Sequence, residues 1–247
     1  MSRSERRREG RQGGGSDMKK LYIVLAAVAV IGIGAVGISV GSAGGSAVTA
    51  PVAVEGLDDP ERLVELAQGE TKGDENATVT IIEFGDFQCP ACQAFAMQVK
   101  PQVELAYVES GKARFVYYDW PIVTGHPNAF LAARASRCAA DQGQYWEYHE
   151  NLFRNQARWA PMTSPASTFI DYAETLGLDR GEFASCLNSD RHAVLVTANV
   201  ELGNRLNVRG TPTIFVEQGG AARPIGPDFQ TIKEYVDGIL AEETGAQ

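Results

Sequence analysis

Apolar positions along the chain fall into three kinds of run. The first is unbroken: Leu21 to Gly41 reads LYIVLAAVAVIGIGAVGISVG without one charged residue. About 20 residues at about 1.5 Å each cross the roughly 30 Å hydrocarbon layer of a bilayer, so this run predicts a transmembrane helix. The second kind is short and rich in β-branched and aromatic residues. Ala77 to Phe84, Ala113 to Asp119, and the stretch around Thr213-Ile214-Phe215-Val216 predict buried strands. The third kind repeats at helical spacing. Ala94, Phe95, Ala96, Met97 and Val99 continue a helix that opens at Pro90, and Pro101 is expected to kink it by removing the bond to the Met97 carbonyl. Leu131, Ala135, Cys138 and Ala139 share one helix face, as do Tyr145, Tyr148, His149 and Leu152, and again Phe169, Tyr172, Ala173 and Leu176.

Punctuation residues bound these elements. His126-Pro127 opens the helical run, Ser164-Pro165 starts its third helix and Gly177 ends it. Asp179 with Glu182 predicts a capping box for a helix carrying Phe183, Cys186 and Leu187, and a last helix is predicted from about Asp190 to Leu206. Five helices are therefore expected between about residues 127 and 207. Upstream, residues 42–56 (SAGGSAVTAPVAVEG) are small and read as a tether. Asp59-Pro60 with Leu63 and Leu66 predicts a short helix within a linker spanning 42–76. The folded domain is expected over 77–245.

Charge sharpens the reading of the first run. Residues 1–20 hold seven basic and three acidic side chains, a basic tail of net +4. The remainder carries 15 basic and 28 acidic groups, net −13. No Lys or Arg follows the apolar run until Arg62. The positive-inside rule then keeps residues 1–20 in the cytoplasm and places everything after Gly41 outside it. A cleaved signal peptide is the competing reading, although its apolar stretch is usually only 7–15 residues. Met18 is a plausible alternative start, which would remove the Arg-rich tail. A body so acidic has no electrostatic footprint for nucleic acid. With 44% hydrophobic residues in 247, the chain can bury a core, which excludes a disordered or fibrous protein.

The chemistry-bearing pattern is Cys89-Pro90-Ala91-Cys92, lodged between a strand and a helix. Pro90 suits the first helical position, where its missing N–H would have been unpaired anyway. Cys89 then sits at a helix N-terminus, where free N–H groups and the macrodipole favour a thiolate. Cys92 lies one turn inside, within reach of a mixed disulfide on Cys89, so the pair can cycle between dithiol and disulfide. Two other uses of the motif compete. It can be half of a zinc site with Cys138 and Cys186, but those stand 48 residues apart rather than as a second close pair. It can also be a static structural disulfide. The strand–CxxC–helix context favours redox chemistry. None of His126, His149 and His192 shows metal-ligand spacing, so core or surface roles are expected for them. Tyr145, Trp146 and Trp159 are expected to pack, with Trp159, read as a loop residue, also able to line a substrate groove.

Arg209-Gly210-Thr211-Pro212 leads into the last apolar strand, and an X-Pro bond there is where a cis peptide is plausible. Together with Glu83-Phe84-Gly85-Asp86-Phe87-Gln88-Cys89-Pro90-Ala91-Cys92 and the helical stretch between, this resembles the thioredoxin superfamily, and within it the DsbA-like thiol–disulfide oxidoreductases. The resemblance covers roughly residues 77–245. It implies an α/β thioredoxin-like fold with an inserted all-helical subdomain. It also implies an exposed nucleophile at Cys89, a buried resolving Cys92, and a cis-proline at Pro212 packed against the disulfide. Thr211 would offer backbone groups to an extended substrate, with Pro90 and Ala91 completing the substrate contact. Glu83, six residues before Cys89, matches a buried acid that moves protons to the inner cysteine; a carboxylate at a strand end facing water is the alternative. Strongly oxidising relatives often carry histidine where this chain has Ala91, which leaves the thiolate without that cation. Some relatives carry a second disulfide in the insertion, and Cys138–Cys186 is expected to be one, closing a loop worth about 3–4 kcal/mol.

The expected function is a membrane-anchored oxidoreductase that gives disulfides to exported cysteine-containing polypeptides. The resemblance implies reoxidation by a quinone-linked membrane protein; no cofactor or metal is expected. An envelope reductase or isomerase on the same fold is the alternative, and a non-catalytic binding or chaperone module is a third reading.

Overall fold

The computed structural model describes residues 47–245. The expected transmembrane helix, Leu21–Gly41, lies outside the described residues, and among those described no helix is long and apolar enough to cross a membrane. Five strands form one sheet: β1 (Glu70–Lys72), β2 (Val79–Gly85), β3 (Ala113–Asp119), β4 (Thr213–Gln218) and β5 (Ala221–Ile225), in the order β1-β3-β2-β4-β5. Central β2 runs parallel to β3 and antiparallel to β4, while β1 and β5 close the edges as antiparallel partners. Every residue of β2 and β3 is buried, as strands covered on both faces must be.

The helices are α1 (Pro60–Leu66), α2 (running from Pro90 to Val108), α3 (Ala129–Ala140), α4 (Tyr145–Arg154), α5 (Gln156–Trp159), α6 (Ala166–Thr175), α7 (Arg180–Leu187), α8 (Ala193–Arg205) and α9 (Phe229–Gly245). Helix α2 is the crossover that the parallel β2–β3 pair demands. Alternation along the strands divides the core. Val79, Ile81, Phe115, Tyr117, Ile214 and Val216 face α2, α9 and most of the helical insertion. Ile82, Phe84, Val116, Tyr118 and Phe215 face α1 and α8. The result is three layers, with Glu83 on the same face as Ile81.

Several expectations need correction. Helix α2 runs on through Pro101, and the irregularity expected there takes the form of a π-helical turn just before it. The segment Phe95–Val99 is a π-helical turn in which the Lys100 N–H reaches back to the Phe95 carbonyl. That wider turn relieves the clash a proline ring makes with the carbonyl four residues earlier. The insertion holds six helices rather than five, because α5 forms where a loop was expected. Only half of the capping box exists: the Asp179 side chain accepts the Glu182 N–H at 2.7 Å, but the Asp179 N–H goes to Gln142 Oε1. Strand β5 was not anticipated. It follows from Gly219-Gly220, both at positive φ (57° and 85°), the two-residue turn that hairpins favour.

The described part of the expected linker is not a linker. Leu63 of α1 is fully buried, a contribution of about 1.5–3 kcal/mol, and β1 pairs with β3. Further upstream the backbone is held by the insertion. Arg134 donates to the Val48 carbonyl at 2.8 Å, and the Val52 N–H donates to Thr197 Oγ1 at 3.1 Å. Arg205 caps the carbonyls of Leu57 and Asp58. Small side chains read as flexible in sequence; here the backbone carbonyl of Val48 meets the buried Arg134 guanidinium.

Candidate active site at the Cys89–Cys92 turn

The C-terminal end of β2 delivers the chain into a tight turn centred on Asp86. The Asp86 carbonyl accepts the Cys89 N–H at 3.0 Å, and its own N–H donates to Cys92 Sγ at 3.4 Å. The carboxylate is buried but not unpaired. It accepts the N–H groups of Gln88 (2.7 Å) and Ile122 (2.8 Å), and Oδ2 lies 2.7 Å from His126 Nδ1. From the insertion, Gln156 Nε2 donates to the carbonyls of Phe87 and Cys89, and Gln88 reaches the Ala160 carbonyl. The turn that carries the cysteines is thus pinned from three sides.

Cys89 is the N-cap of α2 with Pro90 at the first helical position. Cys89 and Cys92 carry no disulfide. Cys92 is fully enclosed, whereas Cys89 keeps 8% of its surface, so the exposed nucleophile implied by the resemblance is instead recessed. Around it, Pro90 and Ala91 are exposed and Gly210, Thr211 and Pro212 are half-buried. Across this shallow mouth, the Thr211–Pro212 bond is cis and the Thr211 carbonyl oxygen lies 3.4 Å from Cys89 Sγ. Residues 122 positions apart therefore meet at the sulfur.

The two sulfurs are electrostatically unequal. The Cys89 thiol is pulled down to about 5, first by a hydrogen bond from the Cys92 thiol. The Thr211 hydroxyl and the N–H groups of Cys92 and Ala91 add to this and outweigh burial. With Cys89 as a thiol, its hydrogen goes to the Thr211 carbonyl and the buried Thr211 hydroxyl has no partner; ionisation makes the sulfur that partner. The absent histidine at position 91 is offset by these donors. Burial drives the Cys92 thiol well above its ordinary value, and the neighbouring Cys89 and Glu83 push in the same direction.

Glu83 is wholly buried, which overturns the water-facing alternative. Both carboxyl oxygens lack a protein partner, and so does the hydroxyl of Tyr117, its register partner on β3. Burial raises the Glu83 carboxyl to about 8, opposed by Lys100 and reinforced by Cys89. Lys100 is itself buried on α2, 2.5 Å from Glu104 Oε1 and 4.7 Å from the centre of the Trp146 ring. Lys100 and Gln156 escape the sequence reading, and Asp86 and His126 enter it without a role at the site. A signal existed for Lys100, which follows Cys92 and Ala96 at intervals of four. None existed for the other three, which act through contacts distant in sequence.

His149 is buried among aromatic rings, and burial keeps its imidazole well below the ordinary value, as a core histidine. Trp159 is fully buried in α5 and donates to the Leu152 carbonyl, so it lines no groove. Cys138 and Cys186 form the expected disulfide with each other rather than a zinc site with the CxxC pair.

A sequence-family model described as thioredoxin matches residues 67–237. The Na(+)/H(+) antiporter NhaA 1 of Salinispora arenicola is 35% identical over 66% of this chain. The chain spans about a quarter (24%) of the length of the Salinispora antiporters it matches. Disulfide bond formation protein D of Bacillus subtilis is 26% identical, over 67% of this chain and 74% of that protein. The crystal structure of oxidised BdbD from Bacillus subtilis superposes with a TM-score of 0.62 at 25% identity, covering 71% of this chain and 97% of that one. Wolbachia pipientis alpha-DsbA1 shares the fold at the same TM-score, 0.62, with 20% identity, covering 70% of this chain and 92% of its own.

Proposed function

The chain belongs to the thioredoxin family and is DsbA-like, and from that premise we propose that it is a thiol–disulfide oxidoreductase that introduces disulfides into exported proteins. The observation that carries this reading is the unequal pair: a recessed Cys89 sulfur against the Thr211 carbonyl, with Cys92 sealed behind it.

In the oxidised enzyme, a substrate thiolate attacks Cys89 Sγ. The Cys89–Cys92 bond breaks, a mixed disulfide forms and Cys92 leaves with the electron pair. Its thiol lies well above neutrality, so it takes up a proton. Glu83, protonated at neutral pH and coupled to Cys92, is the group placed to give it. The second substrate thiolate then attacks the substrate sulfur and expels Cys89. A Cys89 thiolate with a pKa of about 5 is a good leaving group at neutral pH, and stabilising the reduced state makes the oxidised state a stronger oxidant. Pro90, Ala91, Thr211 and Pro212 form the rim that receives the substrate chain.

Leu21–Gly41 holds this domain at the membrane, with the seven basic residues before it on the cytoplasmic side and the active site outside. A quinone-linked membrane protein reoxidises the cysteine pair. The relatives named for disulfide bond formation support the activity, and the charge asymmetry supports the orientation.

The test is a Cys92→Ala form of the full chain in cells. It is expected to accumulate reductant-sensitive adducts through Cys89, and an absence of adducts overturns the reading. A reduction potential near thioredoxin's, about −270 mV, would instead favour an envelope reductase. A Cys89 titration near 8.5 would favour a non-catalytic module.

A further inference from the structure

The Cys138–Cys186 disulfide is surrounded by metal-binding side chains that its 48-residue separation conceals. The two sulfurs and a ring nitrogen of His192 all lie within 4.8 Å of one another. Asp141 Oδ2 lies 3.7 Å from Cys186 Sγ and 3.0 Å from His192 Nε2. Three donors, the two sulfurs and a ring nitrogen, thus converge on one point, and the Asp141 carboxylate adjoins two of them. Two soft thiolates and one imidazole, with a carboxylate beside them as the fourth, are a ligand set for zinc.

We propose that opening this disulfide creates a binding site for a thiophilic divalent cation of the zinc class, held by Cys138, Cys186, His192 and Asp141. The chemistry balances in two steps. A low-molecular-weight thiol reductant supplies two electrons and two protons; its own thiols become a disulfide as Cys138 and Cys186 become thiols. The cation then binds both sulfurs and releases two protons. The metal and the disulfide are therefore mutually exclusive.

Geometry favours the exchange. In a tetrahedral site with metal–sulfur bonds of about 2.3 Å, the sulfurs stand roughly 3.7 Å apart. The spacing from Asp141 to Cys186 and His192 already suits such a site. The backbone that presents Cys186 and His192 does not depend on the sulfur bond. Fully buried Arg134 donates to the carbonyls of Cys186, Leu187, Ser189 and Arg191, and Ser189 Oγ donates to the Cys186 carbonyl. Both sulfurs are buried, but the His192 and Asp141 side chains keep 17% and 29% of their surface, which opens the site to solvent on that side. Arg191 Nη1, 3.1 Å from Asp141 Oδ2, must release that oxygen, and its side chain is 48% exposed and able to turn away.

The test uses the full chain carrying Cys89→Ser and Cys92→Ser, so that the other cysteine pair cannot bind metal and the outcome is independent of the proposed oxidoreductase activity. Zinc is titrated against a chromogenic indicator before and after reduction with a phosphine, and cobalt is used as a spectroscopic probe of thiolate ligation. One equivalent of zinc is expected after reduction and none before, with cobalt showing sulfur-to-metal charge transfer. His192→Ala is expected to weaken binding about 10-fold or more, with the far-ultraviolet circular dichroism unchanged. Absence of stoichiometric zinc in the reduced chain overturns the proposal, as does undiminished binding in His192→Ala or in Cys138→Ser/Cys186→Ser. If reduction alone unfolds the chain, zinc added beforehand must preserve the fold; loss of the fold with zinc present overturns it equally.

Discussion

His126 Nδ1 and Asp86 Oδ2 are joined at 2.7 Å, and Asp86 in turn donates its backbone N–H to Cys92 Sγ and accepts that of Cys89. The Asp86 carboxylate is fully enclosed, and His126 is one of only three groups that compensate it among the described residues. Truncating that partner leaves a buried charge short of a donor, which costs about 1–3 kcal/mol. His126→Ala is therefore expected to unfold at lower urea, while an exposed control such as His126-flanking Pro127→Ala changes little. Equal midpoints for the two variants would remove Asp86 from the list of groups that hold the turn.

Cys89 should titrate at about pH 5 when the reduced chain is followed by thiolate absorbance. The chief cause is the Cys92 thiol, so Cys92→Ala should move the midpoint upward toward that of a free cysteine. The same shift has a signed effect on stability. The folded value lies below the ordinary 9.0, so ionisation at Cys89 stabilises the reduced fold fully above that value. The stabilisation is lost as pH falls toward 5. Cys89→Ser abolishes this component, and a pH–stability slope that survives the substitution must be assigned elsewhere.

Glu83 carries the opposite sign. Its carboxyl rises from 4.5 to about 8, so at pH 7 the unfolded chain ionises it while the folded chain must bind a proton. Stability from this position is intact below about 4.5 and declines as pH rises through 8. Glu83→Gln is expected to be more stable than the native chain at pH 7, by up to about 3 kcal/mol, with the gap closing near pH 4. It should also slow the release of Cys92 from its disulfide, since the proposed proton donor is gone. A stability gap that does not depend on pH would show that the carboxyl is not protonated in the fold.

The disulfide between Cys138 and Cys186 closes a loop of 48 residues, for which chain entropy gives about 4 kcal/mol. Cys138→Ala with Cys186→Ala should lower the free energy of unfolding by about 2–4 kcal/mol in the absence of metal, since Arg134 retains the adjacent turn. Thiolate titration of Cys89 in that variant should be unchanged. Movement of its midpoint would mean that the insertion communicates with the redox pair.

What could be read without coordinates was what lies close together in the chain. Strand, Cys89-Pro90-Ala91-Cys92 and helix occupy one continuous segment, and β3 runs over the residues expected, Ala113 to Asp119. Asp59 and Asp179 cap helices because an N-cap is a relation within three residues. What could not be read depends on partners far away. Glu70-Thr71-Lys72 has no strand pattern, and only its pairing with Phe115, Val116 and Tyr117 makes it β1. Residues 47–58 look like a spacer because their attraction to Arg134, Thr197 and Arg205 runs through main-chain atoms, which side-chain composition does not report. The burial of Glu83 needed the helical layer over its face of the sheet to be known.

The docking of residues 47–72 also decides where this protein can be cut. Beginning a recombinant chain at Ala77, where sequence alone draws the boundary, would strip β3 of its outer neighbour and leave an open strand edge. It would also uncover Phe84, Tyr118 and Phe215, which α1 helps to shield. Such a fragment would present an adhesive apolar patch to its own copies, and it would precipitate for reasons unrelated to its cysteines.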